Sequence, residues 1–323
     1  MKNNQNKQKD LGIFYTSPSV VNFIFDILNI LKNKDDKETG RWLTRKPLHY
    51  PSIIDPACGE GIFLKKALEK KFTKPDWIFG LDIDEEIVKK WPEINLLNEF
   101  NGNKEKLYSH FFHQDGLDKI HWEQHKPEYY GKLKKEDINK EQFDTVVGNP
   151  PYGGIGIQEN QLKDSVIENL SQFNLITKEV KKELNSTQEG LFQEQKQNSL
   201  KKEFKNRLKS FPIEILFLEK FIRLTKPNGW IAVIIPDGIL ANSSLHYVRE
   251  FIVEKTVVIA IISLPRGTFK EAGTNAKTSI LILKKKKEKD NNLNYPVFLS
   301  NMEKLSQDIF DTIINSFKKF YYD

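Results

Sequence analysis

Cysteine is almost absent from this 323-residue chain, and Cys58 is the single one. That excludes an intrachain disulfide framework and any zinc site built from several thiolates. No apolar run approaches the roughly 20 residues needed to cross a bilayer. The start, Met1 to Lys7, is polar and charged where a secretory signal needs an apolar stretch. A cytoplasmic chain with no membrane partner is therefore expected. What is present is a globular composition, 38% hydrophobic and 29% charged. The length suits one large domain or two small ones. A net charge of +6 is compatible with a polyanionic partner, because lysines near phosphates release counterions. A general lysine-rich bias explains the same charge.

The order of elements is legible in outline. Residues 1–10 read as a polar arm. Thr16 or Ser17 can cap a helix that starts at Pro18 and places Val20, Val21, Ile24, Ile27, Leu28 and Leu31 at helical spacing. Residues 32–46 then read as a charged surface linker. Strands are predicted at 51–55, 77–82, 109–114, 143–148, 230–235, 257–264 and 277–283, with helices at 62–72, from Asp84, at 212–225 and at 245–254. Repeated strand–helix alternation with acidic strand ends predicts an α/β fold, a Rossmann-like doubly wound and mostly parallel sheet. The connection between the last two strands is too short for a crossover helix, so the last strand is expected antiparallel. Residues 154–210 are polar and weakly periodic and read as an inserted, partly mobile helical excursion. The expected division is a catalytic domain over 1–290 and a short C-terminal extension over 291–323.

Two stretches carry chemistry. In Asp55-Pro56-Ala57-Cys58-Gly59-Glu60-Gly61, two glycines stand where backbone must approach a ligand, but the third glycine of the dinucleotide fingerprint is missing. Asp55 and Glu60 would repel a pyrophosphate and tolerate a cation. Asp82, ending the next strand, sits where a carboxylate grips ribose hydroxyls in such folds. A nucleoside with positive charge and no phosphate fits, and S-adenosylmethionine is one. Cys58 reads as a small buried filler.

The second stretch is Asn149-Pro150-Pro151-Tyr152, which closes the β-branched run Thr145-Val146-Val147. Two prolines fix the backbone and remove two donors, leaving a carbonyl-rich corner between an amide and an aromatic ring. A strand-ending turn is the plain alternative. If Asn149 Oδ1 and the Pro150 carbonyl each accept a hydrogen from one –NH2 group, its nitrogen is drawn toward tetrahedral geometry and its lone pair is aimed at a sulfonium methyl. Tyr152 would stack on the flat ligand, and a base in duplex DNA would have to be flipped to reach it.

These motifs resemble the N6-adenine DNA methyltransferases of restriction–modification systems, in the motif order of the gamma group. The resemblance covers roughly residues 11–285 outside the insertion. It implies catalytic roles for Asn149, Pro150 and Tyr152. For S-adenosylmethionine it implies contacts by Thr16 (within Gly12 to Pro18), Asp55, Ala57, Gly59, Gly61, Asp82, Ile83 and Asp115, the last meeting the cofactor adenine amino group. For the target base it implies Asn149, Pro151 and Tyr152, with Phe269 facing the base from the opposite side. DNA is the implied partner.

The chain is expected to lack the target-recognition domain that follows the catalytic domain in type II relatives, and the long helical region that precedes the first motif in type I subunits. Recognition is then supplied by a specificity subunit, with a restriction subunit as a further partner, or it belongs to sequence not present here. Rival readings are a methyltransferase acting on RNA or on a protein glutamine amide, and a catalytically idle DNA-binding subunit. His110-x-x-His113 and His121-x-x-x-His125 have metal-like spacings, but the glutamate between the second pair is misplaced and no cysteine assists, so no metal is expected.

Overall fold

The computed structural model describes residues 15–38, 50–93, 96–124, 133–153, 156–158, 162–177, 202–270, 275–287, 290 and 293–322. The polar arm, Gly12 to Phe14, residues 39–46 of the expected linker, His125, and residues 154–155, 159–161 and 178–201 of the expected insertion lie outside the described residues.

Helix α1 (Pro18–Glu38) opens the described chain. Ser17 Oγ accepts from the Val20 N–H at 3.4 Å, so Ser17 is the cap. The predicted apolar stripe is wholly buried. The expected linker is helical up to Glu38: Lys32 to Glu38 simply continue the last turns. Strand β1 (Ile53–Asp55) and helix α2 (Ile62–Glu69) flank the glycine loop. Strand β2 (Ile78–Asp82) leads to a single-turn helix, α3 (Glu85–Val88), capped by Asp84, whose side chain accepts from Glu86 N at 3.0 Å. Helix α4 (Lys104–His110) takes Ser109 and His110 from the segment read as the third strand, leaving β3 as Phe111–His113. Strand β4 (Phe143–Gly148) carries the Asn-Pro-Pro-Tyr corner at its end.

Helix α5 (Asp164–Leu170) corrects the reading of 154–210 as an excursion. Val166 and Leu170 are fully buried, as is Ile176 beyond them, so this part of the segment is core. Its apolar residues are spaced among polar ones but all point one way. Helix α6 (Ile213–Leu224) runs directly into β5 (Thr225–Pro236). The expected Pro227-Asn228-Gly229 turn survives as an irregularity inside that strand, where the register against β4 shifts between Phe143 and Thr145. Helix α7 (His246–Lys255), strands β6 (Thr256–Ser263), β7 (Thr278–Lys285) and β8 (Phe298–Asn301), and helix α8 (Gln307–Tyr322) complete the chain.

The strands form one sheet in the order β3-β2-β1-β4-β5-β7-β6-β8. β7 is antiparallel to both its neighbours, while all other adjacent pairs are parallel. The antiparallel strand is therefore the last but one, because residues 298–301 add β8 in parallel beside β6. Side chains alternate between the two faces, as a pleated strand requires. Ile54, Val146, Ile231 and Val233 join the core under α5, α6 and α7. Ile53, Val147, Ala232 and Ile234 join the core under α1, α2 and α8. Helix α8 closes on α1, with the Phe23 and Phe310 rings 5.2 Å apart. No described helix is long and apolar enough to cross a membrane.

Candidate active site

The parallel strands β1 to β4 end along one edge of the sheet, where ligands bind in open α/β folds. A cleft of about 250 Å3 lies there, walled by Thr16, Asp55, Ala57, Gly59, Asp82, Ile83, Asp115, Asn149 and Pro151 together with Tyr15, Pro56, Cys58, Glu60, Ile62, Phe63, Gly116, Leu117, Gly156 to Gln158, Ile213 and Phe217.

Asp82 organises the cofactor side. Its Oδ2 accepts from Gly59 N at 2.7 Å and its Oδ1 from Asp84 N at 2.8 Å. One carboxylate thereby fixes both the glycine loop and the start of α3. A carboxylate offers about four acceptor positions, so two remain for hydroxyl groups in the cleft. The loop is tied further by Cys58 N to Leu81 O (2.8 Å) and by Trp91 Nε1 to Gly59 O (3.0 Å). Burial raises the Asp82 carboxyl above the ordinary range, while the two backbone N–H groups work the other way.

Asp55 is almost fully buried, with Oδ1 accepting from Ala57 N at 3.0 Å. Burial pushes it up to about 8; the Ala57 bond opposes this, and the neighbouring charge of Asp82 adds to it. Asp115, whose Oδ1 accepts from Leu117 N at 2.9 Å, is pushed by burial up to about 6. Among the described residues, the cleft wall carries the carboxylates of Asp55, Glu60, Asp82 and Asp115 and no lysine, arginine or histidine. Such a wall repels phosphate and suits a cationic nucleoside with hydroxyl and amino donors, which is the donor set of S-adenosylmethionine.

Asn149 forms the far wall. Its Nδ2 donates to Thr16 Oγ1 at 3.1 Å, joining the corner after β4 to the loop before α1. That bond spends one amide hydrogen and fixes which way the amide lies.

Four expected site residues stand apart from the cleft wall. Gly61 has φ +75°, and a side chain there would meet Leu96 Cδ1 at 2.8 Å and Phe111 at 3.3 Å, so its hydrogen serves packing behind the loop. Pro150 is buried behind Pro151. Tyr152 and Phe269 are each 1% exposed, and their rings meet edge to face, 6.4 Å between centroids at 78°. Burial raises the Tyr152 phenol, with the adjacent Asn149 amide acting in the opposite direction. Tyr152 is thus a packed ring in this state, not an open stacking platform. Cys58 is buried, and burial holds its thiol well above the usual range, ahead of the charges of Asp82 and Asp55. It lies against Gly80, where a side chain would come within 2.8 Å of its sulfur.

Sequence reasoning missed Gly116, Leu117, Ile157, Ile213 and Phe217. Gly116 and Leu117 follow Asp115 directly and were findable from it; Ile213 and Phe217 have the look of core positions on an amphipathic helix. Of the histidines, His110 is core, its Nδ1 2.8 Å from Ile78 O, and His121 lies between Asp118 and Glu123. Among the described residues no three His, Cys, Asp or Glu side chains group to hold a metal ion.

A family model described as Eco57I restriction-modification methylase matches residues 76–269. The methylase subunit of the type I restriction enzyme EcoEI from Escherichia coli is 23% identical over 286 residues, covering 85% of this chain and 42% of that protein. A Listeria monocytogenes protein assigned to the class I S-adenosylmethionine-dependent methyltransferases superposes with a TM-score of 0.57 at 22% identity, covering 95% of this chain and 71% of that one. The methyltransferase subunit of a type I restriction–modification system from Streptococcus thermophilus gives 0.55 at 19%, covering 95% and 53%. The chain spans less than half the length of the curated relatives it matches.

Proposed function

Because this chain belongs to the Eco57I restriction-modification methylase family, we propose that it methylates the N6 amino group of adenine in DNA. The family and the class I fold are those of S-adenosylmethionine-dependent methyltransferases. The observation that carries the finer reading is the meeting, in one cleft, of an acidic wall free of lysine, arginine and histidine with Asn149 and Pro151 of the corner.

When bound, S-adenosylmethionine supplies an electrophilic methyl group on a cationic sulfur. Asp82 would hold the ribose hydroxyls through its remaining lone pairs, and Asp115 would accept from the adenine amino group of the cofactor. Asp55 lies nearest the corner's strand: a side chain at Gly148 would come within 2.6 Å of its Oδ1. Asn149 Oδ1 and the Pro150 carbonyl would accept the two hydrogens of the target amine. That would direct the nitrogen lone pair into the cleft and disperse the positive charge that develops there as the N–C bond forms and the sulfonium S–C bond breaks, its electron pair leaving with sulfur; the nitrogen's proton would then pass to solvent. No strong base is needed. Thr16 contributes by orienting the amide.

The target would be a flipped base, since an adenine stacked inside duplex DNA cannot enter a side-chain-lined cleft. Opening the Tyr152–Phe269 contact would make room for it. Two relatives are named as subunits of type I systems, which supports a specificity subunit and a restriction subunit as partners. The test is transfer of tritiated methyl groups to DNA, RNA and protein in parallel, with and without a specificity subunit, followed by nucleoside analysis. N6-methyladenine in DNA is the expected product. Label confined to RNA or to glutamine, or no transfer in any arm, would overturn the assignment.

A further inference from the structure

Lys220 on α6 is 2% exposed, and its charge is not used by the chemistry above. Its Nζ donates to the Asp118 carbonyl at 2.6 Å and lies 3.6 Å from Glu141 Oε2. Both contacts grip one loop, residues 115–120, whose first residue is Asp115. Glu141 also accepts from Ile120 N at 2.7 Å through Oε1. Asn169 Nδ2 on α5 donates to the Leu117 carbonyl at 2.6 Å, and Ser165 Oγ donates to Asp118 Oδ2 at 2.6 Å. From the other side the loop presses on the glycine loop: a side chain at Gly116 would come within 1.8 Å of the Pro56 carbonyl. The loop is therefore clamped between the cofactor loop and three side chains from α5 and α6.

A buried lysine is an expensive way to hold a carbonyl. A methionine of similar length would avoid the desolvation of an ammonium group, and a buried ion pair is weak evidence of stabilisation in itself. What an ammonium adds is charge, and the group that benefits is Asp115. Around Asp115, burial and then the carboxylate of Asp118 favour the protonated acid, while the Leu117 N–H first, and Lys220 and Lys163 after it, favour the anion. Around Lys220 stand Glu141, Asp118 and Asp115, whose charges oppose the loss of its proton by burial. Only a carboxylate anion makes a charge-assisted bond to an amino group, which is about twice as strong as a neutral one.

We propose that Lys220 is a positioning residue for the cofactor site: from α6 it fixes the 115–120 loop through the Asp118 carbonyl and brings an ammonium group to the loop that carries Asp115, so that the site distinguishes an adenine amino group from other purine edges. The proposal rests on the reading of Asp115 as the acceptor for that group.

The experiment compares wild type, Lys220→Met and Lys220→Gln. The glutamine variant retains a donor for the Asp118 carbonyl but carries no charge, so it separates ionisation from loop anchoring if the methionine variant fails to fold. Carbon-13 carboxyl NMR, with Asp115 assigned through Asp115→Asn, follows its titration with no ligand present. Calorimetry with S-adenosylhomocysteine and S-inosylhomocysteine measures amino-group discrimination. Both variants are expected to move the Asp115 titration to higher pH. They should also weaken S-adenosylhomocysteine about tenfold, with much less loss for the inosine compound. An Asp115 titration unmoved in Lys220→Gln overturns the ionisation role. An unchanged affinity ratio overturns the link to recognition. A wild type that binds neither compound overturns the cofactor reading instead, and the NMR titration still decides what Lys220 does to Asp115.

Discussion

The Asn149 amide and the Thr16 hydroxyl, 133 residues apart in sequence, are joined by a 3.1 Å hydrogen bond in which the amide nitrogen donates. A catalytic amide must present its oxygen, not its nitrogen, to an amine, and this bond selects that rotamer. Thr16→Val should lower methyl transfer about tenfold, equivalent to about 1.4 kcal/mol. Thr16→Ser should stay near wild type, and Asn149→Ala should be inactive with cofactor affinity spared. Single-turnover transfer assays check all three, and full activity in Asn149→Ala would refute the proposed amine contacts.

Cofactor binding should release a proton. With its carboxyl pushed up to about 8, Asp55 is protonated at neutral pH in the free protein, and a cation in the cleft favours its anion. Affinity should therefore rise with pH toward 8, by at most tenfold per unit for a single proton. Below about 6, protonation of Asp115 should steepen the loss. Calorimetry in buffers of different ionisation enthalpy reads the proton directly, and Asp55→Asn should abolish the release near pH 7.

Asp82→Ala removes the acceptor for two backbone N–H groups as well as the proposed ribose contact. S-adenosylmethionine affinity should fall by about tenfold or more, each lost hydrogen bond to a charged group being worth about 1.5–3 kcal/mol. Titration calorimetry checks it; unchanged affinity would remove Asp82 from the site.

Phe269→Ala should leave cofactor affinity alone and lower DNA methylation. Loss of one base-stacking face costs about 1–3 kcal/mol, which is about 5- to 150-fold in rate. Equal loss of cofactor binding would mean that the Tyr152–Phe269 contact only supports the fold.

Acid should weaken the fold through His110. Buried between Phe79 and Phe100, it is lowered by burial from 6.5 to about 4. The unfolded chain thus binds the proton more readily, and this contribution is complete above 6.5 and lost as pH falls toward 4. Urea midpoints for wild type and His110→Phe should converge over that window; a constant difference would exclude the effect.

Much of the sheet was legible because Ile53-Ile54, Thr145-Val146-Val147 and Ile231 to Ile235 are β-branched runs with acidic or turn residues at their ends. The acidic wall was legible for the same reason, since strand ends are where the backbone stops and side chains converge. Other features depend on tertiary packing. Lys32 to Glu38 have no apolar period, yet they stay helical as the tail of a packed helix. In residues 162–177 charged and amide side chains break up the apolar ones, Leu162, Val166, Ile167, Leu170, Phe173, Leu175 and Ile176, all of which nevertheless join one core. Gly61 looked like a ligand contact because spacing alone cannot tell which side of the loop its hydrogen faces. The closed pose of Tyr152 follows from the position of Phe269, which comes from a distant stretch of chain.

Helix α8 leans on α1 through Phe310 against Phe23, and the Tyr321 ring lies 4.4 Å from Lys34 Nζ. Since α1 begins just after Thr16, the last helix packs on the element next to the hydroxyl that bonds the Asn149 amide, the group proposed to hold the target amine.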